Sequence, residues 1–465
     1  MSRICLLRTV RAPLEVNIQT ATDFLAHIRH HAAARFDELA RLCAVPSVAS
    51  DAAAVESCVA LLRDMLRSRG FSVDVLPTAG NPALIATAGS GERKLLLYNH
   101  YDVQPADPID AWATPPFSPS RRNGSLYGRG AIDDKGEILA RLAAIDALQA
   151  IHGRLPLRIT MLIEGEEEIG SLHLEPLLRS ERERLQADGC IWEAGSSDHH
   201  GRPELWLGVR GELYVELTIR TLDRDAHSGS AHILPNAAWR LIRALTSLKS
   251  EDERILIPGF YDDVRPPSQA QQRLLDELDV EEEFRAAYGV NDFVAGRRGK
   301  ELAAAVFQPT CNICGFKSGY IEEGTKTVIP ATASVKIDFR LVPEQDPARL
   351  GMLLRRHLDD QGFGDVALRT HSAQRAAASD PDGPFVRLAV DAARDAYGVQ
   401  PVVYPLIGGT GPAALFTAHL AVPFVSLGCA YPGSRKHAPD EHIRMEDFVR
   451  GANCIATIMD RVAKG

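Results

Sequence analysis

Short, almost wholly apolar runs recur along the first two hundred residues, and helical patterns separate them. Examples are KLLLYNH at 94–100, LRITMLIE at 157–164 and DGCIWE at 188–193. Between the first two lies GEILARLAAIDALQAIHG at 136–153, which has the apolar spacing of a helix. Near-continuous apolar strands that alternate with helices are typical of a largely parallel sheet covered on both faces. This feature predicts an α/β fold.

The pattern changes near Gly211. GELYVELTIRTL alternates with period two, and the segments that follow have the order β-α-β-β-α-β, with a helical insertion from about Glu251 to Phe307. That order is typical of a ferredoxin-like α+β domain. At 465 residues the chain is also too long for one ordinary core. We therefore predict an α/β domain at 20–208 and 384–465, split by an inserted domain at 209–383.

Composition excludes several classes of function. The net charge of −9, without a basic stripe, argues against a nucleic-acid partner. No apolar run approaches the roughly 20 residues of a membrane span. The start MSRICLLRTVRAP does not have the pattern of a secretory signal, and one interpretation of it is a disordered extension ahead of the first helix; the sequence leaves open whether the first twenty or so residues are ordered.

Eight cysteines are dispersed along the chain, which predicts reduced thiols and a cytoplasmic location. The single CxxC, CNIC at 311–314, has no second pair to complete a zinc ribbon. We interpret its cysteines as packing residues.

An acidic run, IEGEEEIGS at 163–171, ends one of the apolar strands. Clustered carboxylates repel one another and must be desolvated together, so something positive must hold them there. Other strand candidates also end in acids or histidines, or are followed by loops that contain them: His100 and Asp102, Asp133 and Asp134, Glu193, and His437.

Each of these groups alone has a plain structural interpretation, such as a surface pair or a helix start. Their joint placement is different, because ligands bind outside the carboxyl ends of strands in open α/β sheets. One imidazole and two carboxylates around each metal, with one carboxylate shared, form a reasonable two-zinc site.

The motifs NHYDVQP, LYGRGAIDDKGEI, EGEEEIGS, AHSG, GTKTVIPATASVKIDFRLVPEQDP and KHAPDE occur in this order. Together they resemble metallopeptidase family M20, the carnosinase, aminoacylase and glutamate-carboxypeptidase superfamily of dinuclear zinc hydrolases. Carnosinase-like dipeptidases are the branch to which the chain is most similar. The resemblance covers the chain after about residue 30. It implies a zinc-exopeptidase-like catalytic domain, split by an inserted dimerisation and lid domain, and a cis peptide between Asp133 and Asp134.

The resemblance also implies a set of roles in the catalytic domain. Asp133 would bridge two Zn²⁺ ions, and Mn²⁺ or Co²⁺ can occupy such a site. Asp102 would fix the tautomer of His100 by bonding its far nitrogen. Glu167 would be the general base that takes a proton from the bridging water. The remaining metal ligands would be His100 and Glu193 for one ion, and Glu168 and His437 for the other.

The register of the acidic run needs a choice, because it has three consecutive acids where the family usually shows two. The following IGS matches the family pattern and assigns the base and the ligand to Glu167 and Glu168. Glu166 is left without a role.

The resemblance assigns further residues to the substrate. His227 would reach across a homodimer into the partner's site and stabilise the oxyanion. Arg340 would bind the substrate α-carboxylate, since a guanidinium fork suits that group. Asn312 and Gly409, the latter in the Gly-Gly-Thr turn, are further candidates for substrate contacts.

The sequence therefore predicts a homodimeric two-zinc exopeptidase that acts on dipeptides or other small amides with a free carboxylate. An N-acyl amino acid deacylase of the same family is the alternative. A non-catalytic binding module on this scaffold is a third, and the intact set of metal and base residues argues against it.

Overall fold

The structure is a computed structural model that describes residues 12–465, with side chains from residue 20 onward. The helices are α1 Ala12–Cys43, α2 Ala52–Arg67, α3 Lys135–His152, α4 Leu174–Ser180, α5 Arg182–Leu185, α6 Ala237–Thr246, α7 Gln269–Glu277, α8 Val280–Tyr288, α9 Lys300–Ala304, α10 Pro347–Asp360, α11 Pro384–Tyr397, α12 Ala413–Leu420 and α13 Met445–Lys464. Short 3₁₀ turns lie at Ile109–Ala111, Glu167–Ile169, Ser228–Ser230, Val294–Gly296 and Ala305–Phe307.

Most of the strands are short, as the sequence predicts. They are β1 Ser72–Leu76, β2 Ala83–Ala88, β3 Lys94–His100, β4 Ser120–Arg122, β5 Ser125–Tyr127, β6 Arg158–Glu164, β7 Gly189–Trp192, β8 Glu204–Trp206, β9 Gly208–Val209, β10 Gly211–Arg220, β11 Ala226–His227, β12 Thr310–Ser318, β13 Val328–Ile329, β14 Thr332–Leu341, β15 Ala367–Gln374, β16 Ala377–Ala378, β17 Val402–Tyr404, β18 Phe424–Ser426 and β19 His442–Arg444.

The described chain divides into two compact units. The first comprises the residues up to 207 together with 379–404 and 415–465. Its sheet has the order β1-β2-β6-β3-β7-β18-β8-β17, and the central strands β6, β3, β7 and β18 run parallel. Helices α1, α3, α11 and α13 pack together in this unit. Helix α3 is buried along most of its length, which explains why it is apolar almost all round.

The second unit comprises residues 208–378 and 405–414. Its four-stranded antiparallel sheet has the order β12-β14-β10-β15. Helices α6 and α10 pack on the sheet, and the inward side chains of β10 and β14 form a core with them. The alternating burial along β10 follows from the period-two pattern of its sequence. This topology is the ferredoxin-like one.

The predicted fold class is confirmed: a large, mostly parallel sheet is joined to a separate βαββαβ unit. The unit boundaries differ from the sequence expectation in two main respects: residues 405–414 return to the second unit, and residues 379–383 belong to the first. Helix α1 begins at Ala12, so part of the proposed N-terminal extension is helical, and residues 1–11 lie outside the described part of the chain. No helix among the described residues is long and apolar enough to cross a membrane.

The CNIC motif lies on strand β12. Cys311 packs against the core of the second unit, whereas Cys314 lies at a bulge in the strand and is exposed. Both thiols are free, as are the other cysteines of the described residues. Cys311 is therefore a packing residue, as expected, whereas the prediction is wrong for Cys314, and the two side chains have separate surroundings.

Strand β6 offers a direct test of the core. Leu162 is fully buried, so Leu162→Ala should lower the free energy of unfolding by about 2–5 kcal/mol through lost burial and the cavity left behind. Leu172→Ala is the matched control, since that leucine is 65 % exposed and should change stability by less than about 0.5 kcal/mol. Urea unfolding of both variants measures the difference. Equal losses would contradict the assignment of β6 to the core.

Candidate metal centre

The acids and histidines singled out in the first unit follow adjacent parallel strands. His100 is the last residue of β3, the 3₁₀ turn with Glu167 and Glu168 follows β6, and Glu193 follows β7 directly. His437 lies in the segment after β18. Because these strands are neighbours and parallel, their carboxyl ends meet at one edge of the sheet. The topology therefore brings together residues that are far apart in the sequence.

His100, Asp133 and Glu193 form the first group of candidate ligands. The Nε2 atom of His100 lies 3.3 Å from Asp133 Oδ1 and 3.2 Å from Glu193 Oε2. The Nδ1 atom lies 3.0 Å from the carbonyl oxygen of Asp102. A carbonyl only accepts hydrogen bonds, so Nδ1 carries a proton, and Nε2 is the nitrogen that faces the two carboxylates and would bind a metal ion placed between them.

His437, Asp133 and Glu168 form the second group of candidate ligands. The Nε2 atom of His437 lies 3.0 Å from Asp133 Oδ2 and 3.2 Å from Glu168 Oε2. Gln104 donates a hydrogen bond of 2.9 Å to the same oxygen of Glu168. His437 has a left-handed backbone with φ of 57°. Each oxygen of Asp133 thus faces one histidine.

These distances fit metal ions. A tetrahedral zinc ion with ligands at about 2.0–2.1 Å holds its ligand atoms about 3.3 Å apart. Among the described residues, Glu168 Oε1 and Glu193 Oε2 are buried and take part in no hydrogen bond. Buried carboxylate oxygens without donors are costly unless a cation compensates them. The donor set, one imidazole and two carboxylates on each side, is one that zinc accepts.

The electrostatics of the cluster lead to the same conclusion. Burial raises the pKa of Glu193 well above its ordinary value, and Glu167 raises it further. Burial likewise raises the pKa of Glu167 to about 8, assisted by Glu168 and Asp133 against the opposing effect of His100. Burial alone would lower the pKa of His100, but Glu193, Asp102 and Asp133 hold it well above the usual range. The raised pKa values mean that the cluster holds protons that offset its negative charge, and metal ions can take the place of those protons.

Asp102 has more contacts than the sequence suggested. Its carboxylate accepts hydrogen bonds from the backbone N–H groups of Glu167, at 3.2 Å, and Glu168, at 3.0 Å. Its Oδ1 atom lies 3.4 Å from His100 Nδ1, farther than its own carbonyl oxygen. Asp102 is fully buried, and its hydrogen bonds join the end of β3 to the acidic turn after β6.

The side chain of Glu166 points away from the ligand groups of His100 and His437. Its Oε2 atom lies 2.8 Å from His173 Nδ1, and its Oε1 atom accepts from the N–H of Asn81 at 3.2 Å. Its carbonyl oxygen accepts from the N–H groups of Ile169 and Ser171, which closes the turn. Glu166, the extra acid of the run, therefore holds the turn in place. The sequence contained no signal for this role, because His173 and Asn81 lie outside the motif.

Asp134 is a buried acid that the sequence analysis left without a role. It lies near His100 and Glu193, with potential ligand atoms of the three within 4.8 Å of one another. Its Oδ2 atom, however, accepts from Asn99 Nδ2 at 2.6 Å and from the N–H of His100 at 3.1 Å. Asp133 faces both His100 and His437, whereas the contacts of Asp134 are with His100 and Asn99, so Asp133 is the better candidate for a bridging ligand. The peptide between the two aspartates is cis, as expected.

Glu164 is a second such acid. Its Oε1 atom accepts hydrogen bonds from Tyr98 Oη at 2.5 Å and Ser171 Oγ at 2.9 Å, and burial raises its pKa to about 7. These bonds tie the start of the acidic run to β3 and to the end of the turn. Glu164 thus stabilises the turn through buried hydrogen bonds.

The second unit brings together three of the predicted substrate residues. Arg340 donates to Asp338 at 2.8 Å, lies 3.2 Å from Glu212, and donates to Thr410. Asn312 is the β12 partner of Asp338, and the carbonyl oxygen of Gly409, next to Thr410, accepts from Arg210. Burial lowers the pKa of Arg210 to about 10, assisted by Arg340. The return of 405–414 to this unit is what places the Gly-Gly-Thr turn beside Arg340.

His227 is exposed on the second unit, at the end of β11. Its Nδ1 atom accepts a hydrogen bond of 3.0 Å from the N–H of Gly229. The proton of the neutral ring therefore lies on Nε2, which is 3.4 Å from Thr327 Oγ1. His227 thus presents an N–H donor to its surroundings.

Comparison with known proteins gives a consistent result. The model of "Peptidase family M20/M25/M40" matches residues 96–461. The human Beta-Ala-His dipeptidase is 31 % identical over 82 % of this chain and 78 % of its own length. The Cys-Gly metallodipeptidase DUG1 of Candida albicans is 28 % identical over 90 % of this chain and 92 % of its own. The crystal structure of the M20 family metallo-carboxypeptidase Sso-CP2 from Sulfolobus solfataricus superposes with a TM-score of 0.87 and 34 % identity, covering 93 % of this chain and 99 % of that one.

The acidic run can be tested one residue at a time. Glu168→Gln should reduce the metal content after dialysis, because it removes a charged ligand from the His437 group. Glu166→Gln is the matched control: it keeps an acceptor for Asn81 and loses an ion pair whose histidine is partly exposed, so stability should fall by at most about 1 kcal/mol. Its metal content should not change. Elemental analysis and thermal unfolding measure both, and metal loss in Glu166→Gln alone would shift the register by two positions.

Proposed function

The chain belongs to peptidase family M20/M25/M40, and we propose that it is a dipeptidase-like exopeptidase that uses two Zn²⁺ ions. The observation that carries the proposal is the position of Asp133. One of its oxygens faces His100 and the other faces His437, and each histidine has a second carboxylate beside it. Two ligand groups that share one carboxylate suit two ions about 3.5–4 Å apart. Mn²⁺ and Co²⁺ fit the same donors.

Glu167 is the proposed general base. It follows the end of β6 in a turn held by Asp102, Glu164 and Glu166, so its position depends on buried contacts rather than on a flexible loop. When bound, the ions lower the pKa of a water molecule and polarise the scissile carbonyl. Glu167 takes the proton from the attacking water and passes it to the leaving amine nitrogen.

Arg340 is the proposed site for the substrate carboxylate. A guanidinium has five N–H donors, and the contacts with Asp338, Glu212 and Thr410 leave capacity for a further acceptor. Its acidic neighbours fix the orientation of the fork, and about 29 % of its side chain is exposed. Two of the relatives described above are dipeptidases and the third is a carboxypeptidase, which favours a peptide with a free carboxylate over an N-acyl amino acid.

A homodimer is also proposed, with His227 of the partner subunit completing each site. Two features of the second unit support it. Strand β12 is an edge of the sheet and carries the exposed side chains Ile313 and Phe316, and Trp239 on α6 is 61 % exposed. Exposed apolar edges of this kind are normally covered by a partner. The Nε2–H donor of His227 suits an oxyanion.

The cytoplasmic location stays a prediction, and the free thiols agree with it.

The function is tested by a hydrolysis screen. Pooled dipeptides and pooled N-acyl amino acids are offered to the purified protein with Zn²⁺, and again after chelation, and the products are followed by mass spectrometry. We expect dipeptide cleavage that chelation abolishes and Zn²⁺ restores. Glu167→Gln should lower kcat by about 10²–10⁴-fold while it keeps the metal, because it removes only the base. Cleavage restricted to acyl conjugates would favour the deacylase, and no turnover by metal-loaded protein would contradict the proposal.

The trans role of His227 is tested by mixing two inactive variants. Glu167→Gln keeps His227, and His227→Ala keeps Glu167, so a mixed dimer has one site with both groups intact. After exchange of subunits at equal concentrations we expect about a quarter of the wild-type activity, since half of the dimers are mixed and each has one intact site. Activity no higher than the sum of the separate variants would rule out the trans arrangement.

A further inference from the structure

One buried carboxylate outside the two ligand groups bonds directly to the backbone of the bridging residue. Glu441 is completely buried, and its Oε1 atom accepts hydrogen bonds from the N–H of Ile132 at 3.0 Å and the N–H of Asp133 at 3.1 Å. Its Oε2 atom accepts from Arg129 at 2.6 Å. Both oxygens are therefore occupied by groups of the segment that leads into Asp133.

Arg129 provides the opposite charge. It is 1 % exposed, donates a second hydrogen bond to the carbonyl oxygen of Pro105, and lies over the ring of Trp112 at 5.3 Å. Burial raises the pKa of Glu441, and Arg129 opposes this shift. A carboxylate at this position can remain charged because the guanidinium is always protonated.

Glu441 also belongs to the segment that carries His437, four residues earlier. Its carbonyl oxygen accepts from the N–H of Gly128, and the strand that follows it, β19, pairs with β5. The segment with His437 and the segment with Asp133 are thus joined through both the backbone and the side chain of one residue.

A separate set of bonds holds Asp133 on its other side. The neighbouring Asp134 accepts from Asn99 and from the N–H of His100, which ties the aspartate pair to β3. Asp133 is therefore anchored toward His100 through Asp134 and toward His437 through Glu441. Loss of one anchor should affect mainly the ligand group on its own side.

We propose that Glu441 is a positioning residue that fixes Asp133 relative to His437, and so sets the affinity of the ion held by His437, Asp133 and Glu168. The inference rests on the proposed two-metal function. Outer groups that orient metal ligands typically change metal affinity by about 10–100-fold when they are removed. The bonds that matter are those to the two backbone N–H groups, and Arg129 keeps the acceptor charged and in place.

Two double variants separate the hydrogen-bond acceptor from the ion pair. Glu441→Gln with Arg129→Met removes both charges but keeps an oxygen for the N–H groups of Ile132 and Asp133. Glu441→Met with Arg129→Met removes the acceptor as well. Asp440→Asn is a control in the same segment, since that carboxylate bonds the N–H of Ala113. Metal-free proteins are titrated with Zn²⁺ by calorimetry and with Co²⁺ by visible absorption, which reports the ligand geometry of each ion.

We expect the Gln/Met variant and Asp440→Asn to bind both ions within about threefold of the wild type. The Met/Met variant should bind the first ion, held by the His100 group, normally. It should bind the second ion, held by the His437 group, at least about 10-fold more weakly, with a changed Co²⁺ spectrum for that second ion only. Equal binding of the second ion by the two double variants would overturn the proposal.

A further variant covers the case in which the Met/Met protein does not fold. Glu441→Asp keeps the charge and Arg129 but shortens the side chain by one methylene, so it cannot reach Arg129 and both N–H groups together. Its second ion should also bind at least about 10-fold more weakly, and unchanged affinity would overturn the proposal. A wild-type protein that binds one ion only would contradict the proposed two-metal function itself, and this is seen before any variant is measured.

Discussion

Repulsion between buried carboxylates is the constraint on which the site depends. Asp133, Glu167, Glu168 and Glu193 meet where parallel strands end, and their partial or full burial limits the screening of their charges by water. Without cations, the cluster would have to retain protons, and the raised pKa values of Glu167 and Glu193 express this. Two divalent ions can replace those protons, which makes metal binding and the stability of this edge of the sheet one process.

The protein prepares the cluster for cations with an outer layer of buried contacts. Asp102 and Glu164 hold the acidic turn against β3, Asp134 ties Asp133 to His100, and Glu441 ties Asp133 to the segment of His437. The acceptors in these contacts are Asp102, Glu164, Asp134 and Glu441, which are not among the proposed metal ligands, so the contacts leave the lone pairs of those ligands free. Such preorganisation is what a catalytic metal site needs beyond its ligands.

Much of this arrangement could be predicted from the sequence. Apolar runs that end in His100, Glu164 and Glu193 indicate parallel strands, and their carboxyl ends must meet. The family motifs then select which acids to consider. The placement of Glu166 could not be predicted, because its partners Asn81 and His173 have no motif and only the folded turn brings them near.

Other features depended on long-range contacts. Arg129 and Glu441 are separated by more than three hundred residues, and neither is unusual in its local sequence. The return of 405–414 to the second unit reflects backbone pairing such as that between Arg210 and Gly409, which periodicity does not reveal. A charged residue in an apolar helix, such as Arg141 in α3, was a signal that could have been used: it lies fully buried and bonds Glu137 and the carbonyl oxygen of Trp192, next to Glu193.

The central claim is that two metal ions occupy the carboxylate cluster and share Asp133. The most direct measurement is a crystal structure of the Zn²⁺-loaded protein with anomalous data collected on both sides of the zinc absorption edge. The account predicts two peaks about 3.5–4 Å apart. One lies between His100, Asp133 and Glu193, and the other between His437, Asp133 and Glu168. A single peak, or zinc bound away from Asp133, would contradict it.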